Sequence, residues 1–117
     1  MARQILIVED DPSVLKAITR NLRLMGFEVS HAMTATEGIA KLDSHKIVVL
    51  DLNLPDASGA TVLRKIRDEN RAVRTAIWTA MPELATVGEL AALKPDAVFH
   101  KVDVEKLLAW INSAEAA

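Results

Sequence analysis

Ile47-Val48-Val49-Leu50-Asp51-Leu52-Asn53-Leu54-Pro55-Asp56-Ala57-Ser58-Gly59 is the stretch whose reading decides the fold. It begins as an unbroken apolar run rich in β-branched residues. Such a run, without alternation, marks a strand buried on both faces, as in a parallel sheet. The run ends on a carboxylate. Pro55, Asp56 and Gly59 then supply turn chemistry, and a charged helical pattern follows. Asp51 is therefore predicted at the C-terminal tip of a central strand, the edge where open α/β sheets bind ligands.

Upstream, Ile5-Leu6-Ile7-Val8 is a second continuous apolar run, closed by Glu9-Asp10-Asp11. Pro12 suits a first helical position and Asp11 the N-cap before it. Val14, Leu15, Ile18, Leu22 and Met25 recur at helical spacing and predict a helix over 13–25, with Gly26 as its C-terminal cap. A short strand is predicted over 27–32 and a helix over 34–42, interrupted by Gly38. Downstream, the pattern predicts a helix over 58–70 with Val62, Leu63 and Ile66 inward. The charges Arg64, Lys65, Arg67, Asp68 and Glu69 form its solvated face. A strand over 75–79 ends on a hydroxyl. One helix is expected from Pro82 through Leu93, weakened by Gly88 and stopped by Lys94-Pro95. A fifth strand over 97–101 ends on a cation. Val104, Leu107, Leu108 and Ile111 mark the inner face of the last helix, and Ala114, Ala116 and Ala117 read as a fraying end.

The order is β-α five times. Strands joined by crossover helices run parallel and share one C-terminal edge. Glu9, Asp10, Asp51, Thr79 and Lys101 each close a strand or begin the loop after it. The topology thus gathers three carboxylates, a hydroxyl and an ammonium. Adjacent buried carboxylates repel, and a hard divalent cation relieves them. Mg²⁺ takes a few carboxylate oxygens and keeps positions open for phosphate. One carboxylate can then act as a nucleophile on phosphorus, giving an aspartyl phosphate.

Composition narrows the classes. The chain has 117 residues, enough for one domain spanning 1–117, and a formal net charge of −2 with both signs interspersed. Nothing in that balance asks for nucleic acid or an anionic membrane. Cysteine is absent, which excludes disulfides and thiolate chemistry. No run reaches the ~20 apolar residues of a membrane helix and no signal peptide is visible, so a cytoplasmic protein is expected.

These residues resemble a response-regulator receiver domain of two-component signalling. The resemblance rests on Ile5–Asp11, the Asp51–Gly59 stretch, Trp78-Thr79-Ala80 and Phe99-His100-Lys101. Thr79 falls 28 residues after Asp51 and Lys101 falls 22 after Thr79, as in the family. It implies a flavodoxin-like (βα)5 doubly wound parallel sheet, order 2-1-3-4-5. It implies Asp51 as phosphoacceptor, Asp10 as direct Mg²⁺ ligand beside Asp51 and the carbonyl of Asn53, and Glu9 as the second acidic member. Thr79 matches the hydroxyl that moves toward the phosphoryl group, small Ala80 leaves it room, and Lys101 matches the phosphate-contacting lysine. Asn53 and Met81 match positions that tune phosphoryl lifetime. The implied donor is a sensor histidine kinase or a histidine phosphotransfer protein. The implied function is a switch rather than an enzyme. It would act on an unknown output protein through the fourth helix, fifth strand and fifth helix, as a monomer or a phosphorylation-linked homodimer. The chain reads as a single-domain regulator or as a receiver from a longer protein.

Two residues depart from the family. Val98 stands where an inward-turning Tyr or Phe is usual, and Val102 where a proline, often cis, is usual. A trans Lys101–Val102 bond and an altered loop are expected, since a cis non-proline bond costs about 2.5–4 kcal/mol. These departures motivate an alternative, a constitutive interaction module of the same fold with a decoupled switch. A flavin- or nucleotide-binding protein would place phosphate against Glu9-Asp10-Asp11, and an aspartate-nucleophile phosphatase would carry a second Asp where Asn53 stands. His31, His45 and His100 lack ligand-like spacing. Trp78 reads as core. Trp110 lies about 60° off the inner stripe, packed at an edge or anchoring a partner.

Overall fold

The computed structural model describes residues 3–116. Five strands, β1 (Arg3–Val8), β2 (Phe27–Ala32), β3 (Ile47–Leu50), β4 (Arg74–Thr79) and β5 (Ala97–His100), form one sheet in the order β2-β1-β3-β4-β5. Every neighbouring pair is parallel. The helices are α1 (Pro12–Leu24), α2 (Ala35–Ala40), α3 (Ala60–Asp68), α4 (Gly88–Leu93) and α5 (Val104–Ala116).

Alternate residues of each strand feed opposite cores. Leu6, Val8, Val48, Leu50 and Ile77 pack with Val62, Leu63 and Ile66 of α3 and with Ala35 and Leu42. Ile5, Ile7, Val49, Ala76 and Trp78 pack with Leu15, Ile18 and Leu22 of α1 and Leu107 and Ile111 of α5. Both faces of β3 are covered, which is why its sequence shows no alternation. The sequence-based fold, strand order and inward residues are all present. Ala114 is a correction: it is helical and buried in the second core rather than frayed. Ala117 and the side chain of Ala116 lie outside the described residues.

The helix ends are set by identifiable caps. Asp11 accepts from Ser13 N and Val14 N at the start of α1. Thr34 caps α2 by accepting from Glu37 N, and the Glu37 carboxylate accepts from Met33 N in return. Helix α3 is shorter than expected. It begins at Ala60, whose N–H donates to Ser58 Oγ, and Asn70 beyond its end has a φ of 51°.

The single helix expected from Pro82 through Leu93 is not one element. Pro82–Thr86 is a 3-10 helix, and α4 starts again at Gly88 with a φ of 59°. Left-handed backbone is strained for any residue with a Cβ, so this glycine marks a break rather than a weak helical position. The α3 charges are also more than a solvated face. Arg67 donates to the carbonyls of Leu93 (2.9 Å) and Lys94 (2.7 Å) at the end of α4, and Arg64 pairs with Glu89 at its beginning.

Candidate functional site at the strand tips

The site residues are positioned by backbone bonds that continue the sheet past its strands. Glu9 N donates to Ala32 O, Asp51 N to Val8 O and Lys101 N to Thr79 O, each at 2.9 Å. Side chains from four strand ends therefore converge. Glu9, Asp10, Asp51, Asn53, Thr79, Ala80 and Lys101, every residue expected from the sequence, line one cavity of about 660 Å³.

Carboxylate oxygens of Glu9, Asp10 and Asp51 lie within 4.8 Å of one another, with Glu9 and Asp51 buried. This all-oxygen donor set fits a hard divalent cation such as Mg²⁺. The Lys101 ammonium joins them. It contacts Glu9 Oε1 and lies 3.4 Å from Asp51 Oδ2. Glu9 is 1% exposed, so its charge needs this partner. Its other oxygen accepts from Asp11 N at 3.2 Å. Asp51 Oδ1 accepts from Asn53 N at 3.3 Å. Thr79 Oγ1 accepts from Met81 N at 3.1 Å, which leaves its own hydrogen for another acceptor.

Burial, and after it the Asp10 charge, pushes the Asp51 carboxyl above its ordinary value of 3.8, against the lowering effect of the Asn53 and Leu52 N–H groups. Burial lowers the Lys101 ammonium to about 8, so it stays charged at neutral pH. Three carboxylates, a hydroxyl and an ammonium thus face one space open to solvent.

The receiver family, described as the response regulator receiver domain, matches residues 5–112. The chain belongs to this family. This receiver domain is 33% identical over 110 residues to the acid tolerance regulatory protein ActR of Rhizobium meliloti (strain 1021), covering 92% of this chain and 57% of ActR. It is 32% identical over 115 residues to the uncharacterized transcriptional regulatory protein YkoG of Bacillus subtilis (strain 168), covering 94% of this chain and 50% of YkoG. The chain spans about half the length of the curated relatives it matches. It superposes with a TM-score of 0.88 on a CheY-like receiver domain protein from Methanospirillum hungatei JF-1, at 28% identity and covering 99% and 95% of the two chains. The response regulator TrrA from Thermotoga maritima, solved in complex with Mg²⁺ and BeF, shares the fold at TM-score 0.87 and 23% identity, covering 96% and 98%.

The receiver domain holds features that spacing did not reveal. Asp56 leaves its own loop and accepts from Ala35 N, Thr36 N and Thr36 Oγ1, which ties the loop after β3 to the start of α2. Gly59 sits so close to Asp51 that a Cβ there would meet the Asp51 carbonyl oxygen at 2.1 Å. Leu84, Leu90 and Val14 give the cavity an apolar wall. Val98 is lodged partly buried against the first core. Val102 is 78% exposed, and no peptide bond among the described residues is cis. His100 shapes the loop there: its Nδ1 accepts from Val102 N, a donor that proline would lack, and its carbonyl from Asp103 N.

Proposed function

We propose that residues 1–117 act as one receiver domain that takes a phosphoryl group onto Asp51, with Mg²⁺ as cofactor, from a sensor histidine kinase or histidine phosphotransfer protein. The observation that carries the reading is the convergence of the Glu9, Asp10 and Asp51 carboxylates with the Lys101 ammonium at the tips of β1, β3 and β5. Asp10, Asp51 and the Asn53 carbonyl would hold Mg²⁺ with Glu9 behind them, and the ion would supply charge neutralisation at the phosphoryl oxygens. An Asp51 oxygen attacks phosphorus as the bond to the donor imidazole nitrogen breaks, and the imidazole leaves with that electron pair. Lys101 takes up charge on a phosphoryl oxygen. The Thr79 hydroxyl donates to another, and Ala80 leaves it room to approach. The added charge then biases α4, β5 and α5 toward binding an output protein.

The test is intact mass after incubation with acetyl phosphate, with and without Mg²⁺. Wild type should gain one phosphoryl group only with Mg²⁺, and Asp51→Asn should gain none. No gain in folded wild type that binds Mg²⁺ rejects the reading.

The lodged Val98 favours one other reading, an interaction module whose site is uncoupled from its partner face. Amide hydrogen exchange across α4, β5 and α5 separates the two: phosphorylation changes it for a switch and leaves it unaltered for the module.

A further inference from the structure

We infer that Trp78 is a positioning residue for Lys101, through the face of its indole. Trp78 lies on β4, 2% exposed, with its ring toward the second core. The Lys101 Nζ lies over that ring, 4.8 Å from its centroid, well inside cation–π range. The indole Nε1 is buried and has no hydrogen-bond partner among the described residues. A buried unsatisfied N–H is a penalty that phenylalanine or leucine would avoid. The core therefore does not use the polar end of this residue, whereas the π face lies under an ammonium.

Lysine has four rotatable side-chain bonds and holds one position only when several contacts agree. Here there are three: the Glu9 carboxylate, the Asp51 carboxylate and the Trp78 ring. The first two belong to groups whose charge is shared with any cation or phosphoryl group entering the site. The indole is neutral and keeps its hold in every state of the carboxylates. This role rests on the phosphoryl-acceptor reading of Asp51.

The test uses the whole chain with Trp78→Phe and Trp78→Leu, each alone and combined with Lys101→Met, after circular dichroism shows that each is folded. The rate of phosphorylation by acetyl phosphate at saturating Mg²⁺ should fall about tenfold in Trp78→Leu. Trp78→Phe, which keeps an aromatic face, should recover most of that rate. In the Lys101→Met background the Leu substitution should change nothing further. Independent, multiplicative losses overturn the inference and leave the acceptor reading intact. A second readout needs neither Mg²⁺ nor phosphate. In a Trp110→Phe background, which leaves Trp78 as the only indole, Lys101→Met should shift and brighten the emission. An unchanged spectrum overturns the contact even if Trp78→Leu does not fold. Absence of phosphorylation in wild type defeats the acceptor reading and the positioning role together.

Discussion

The Asp51 carboxyl is set against its own charge. Burial and the Asp10 carboxylate hold its folded pKa above 3.8. The folded state therefore binds the proton more tightly than the unfolded state, and stability falls as pH rises through the folded value. At pH 7 without metal, Asp51→Asn should raise the melting temperature by about 3–5 °C, measured by calorimetry. An unchanged or lower temperature would mean that Lys101 already compensates the charge. Asp56 behaves oppositely. Three donors, led by the Thr36 hydroxyl, hold it down to about 2. Its contribution is full above the unfolded value near 3.8 and fades as pH falls toward 2. The gap between wild type and Asp56→Asn in urea midpoint should accordingly narrow from pH 5 to pH 2. Gly59→Ala forces a methyl into the Asp51 carbonyl and should cost about 1–3 kcal/mol in urea unfolding. At this scale the strand-tip residues were legible, because β-branched runs mark where strands end. Asp56 was not. Its partners are about 20 residues away, and a loop aspartate next to proline has a complete local explanation as a turn former.

Among the elements, α4 departs furthest from what the sequence suggests. Gly88 read as a tolerated defect inside one helix, yet it begins a new one in left-handed backbone. Composition cannot separate these cases, since the same residue serves both. Substitution can. A methyl at Gly88 meets nothing within 4 Å, so only backbone conformation decides its effect. In a continuous helix Gly88→Ala would slow amide exchange. With the observed φ it should destabilise α4 by about 1 kcal/mol and speed its exchange about fivefold. Of the α3 charges, Arg64, Lys65, Asp68 and Glu69 are exposed as expected, and the half-buried Arg67 departs for a related reason. Helical periodicity identifies the face turned away from the sheet but not a neighbouring helix that covers part of it. Arg67, on that face, holds the α4 carbonyls.

Across the molecule, the site exists only in the folded chain. Asp10 lies just past β1 and Asp51 just past β3, and Lys101 reaches Glu9 across 92 residues of sequence. A cation that binds this cluster binds the native state alone, so it stabilises by mass action, about 2.7 kcal/mol at 100 times its Kd. Titrating Mg²⁺ against the unfolding midpoint should show this rise in wild type, and Asp10→Asn should flatten it. The architecture was readable for the same reason that the site is remote in sequence. Apolar runs alternating with helical patterns predict parallel strands whose tips share one edge, while the order β2-β1-β3-β4-β5 was implied only by the resemblance to receiver domains.

Helix α4 has no fully buried residue, and its hold on the body comes from Arg64, Arg67 and the half-buried Leu90 and Leu93. Leu90 is also part of the cavity wall. Backbone this lightly anchored is where a protease makes its first cut, at a rate set by how often the segment opens. The interval between Thr86 and Lys94 should therefore nick first, and the time to that nick gauges what occupies the neighbouring cavity.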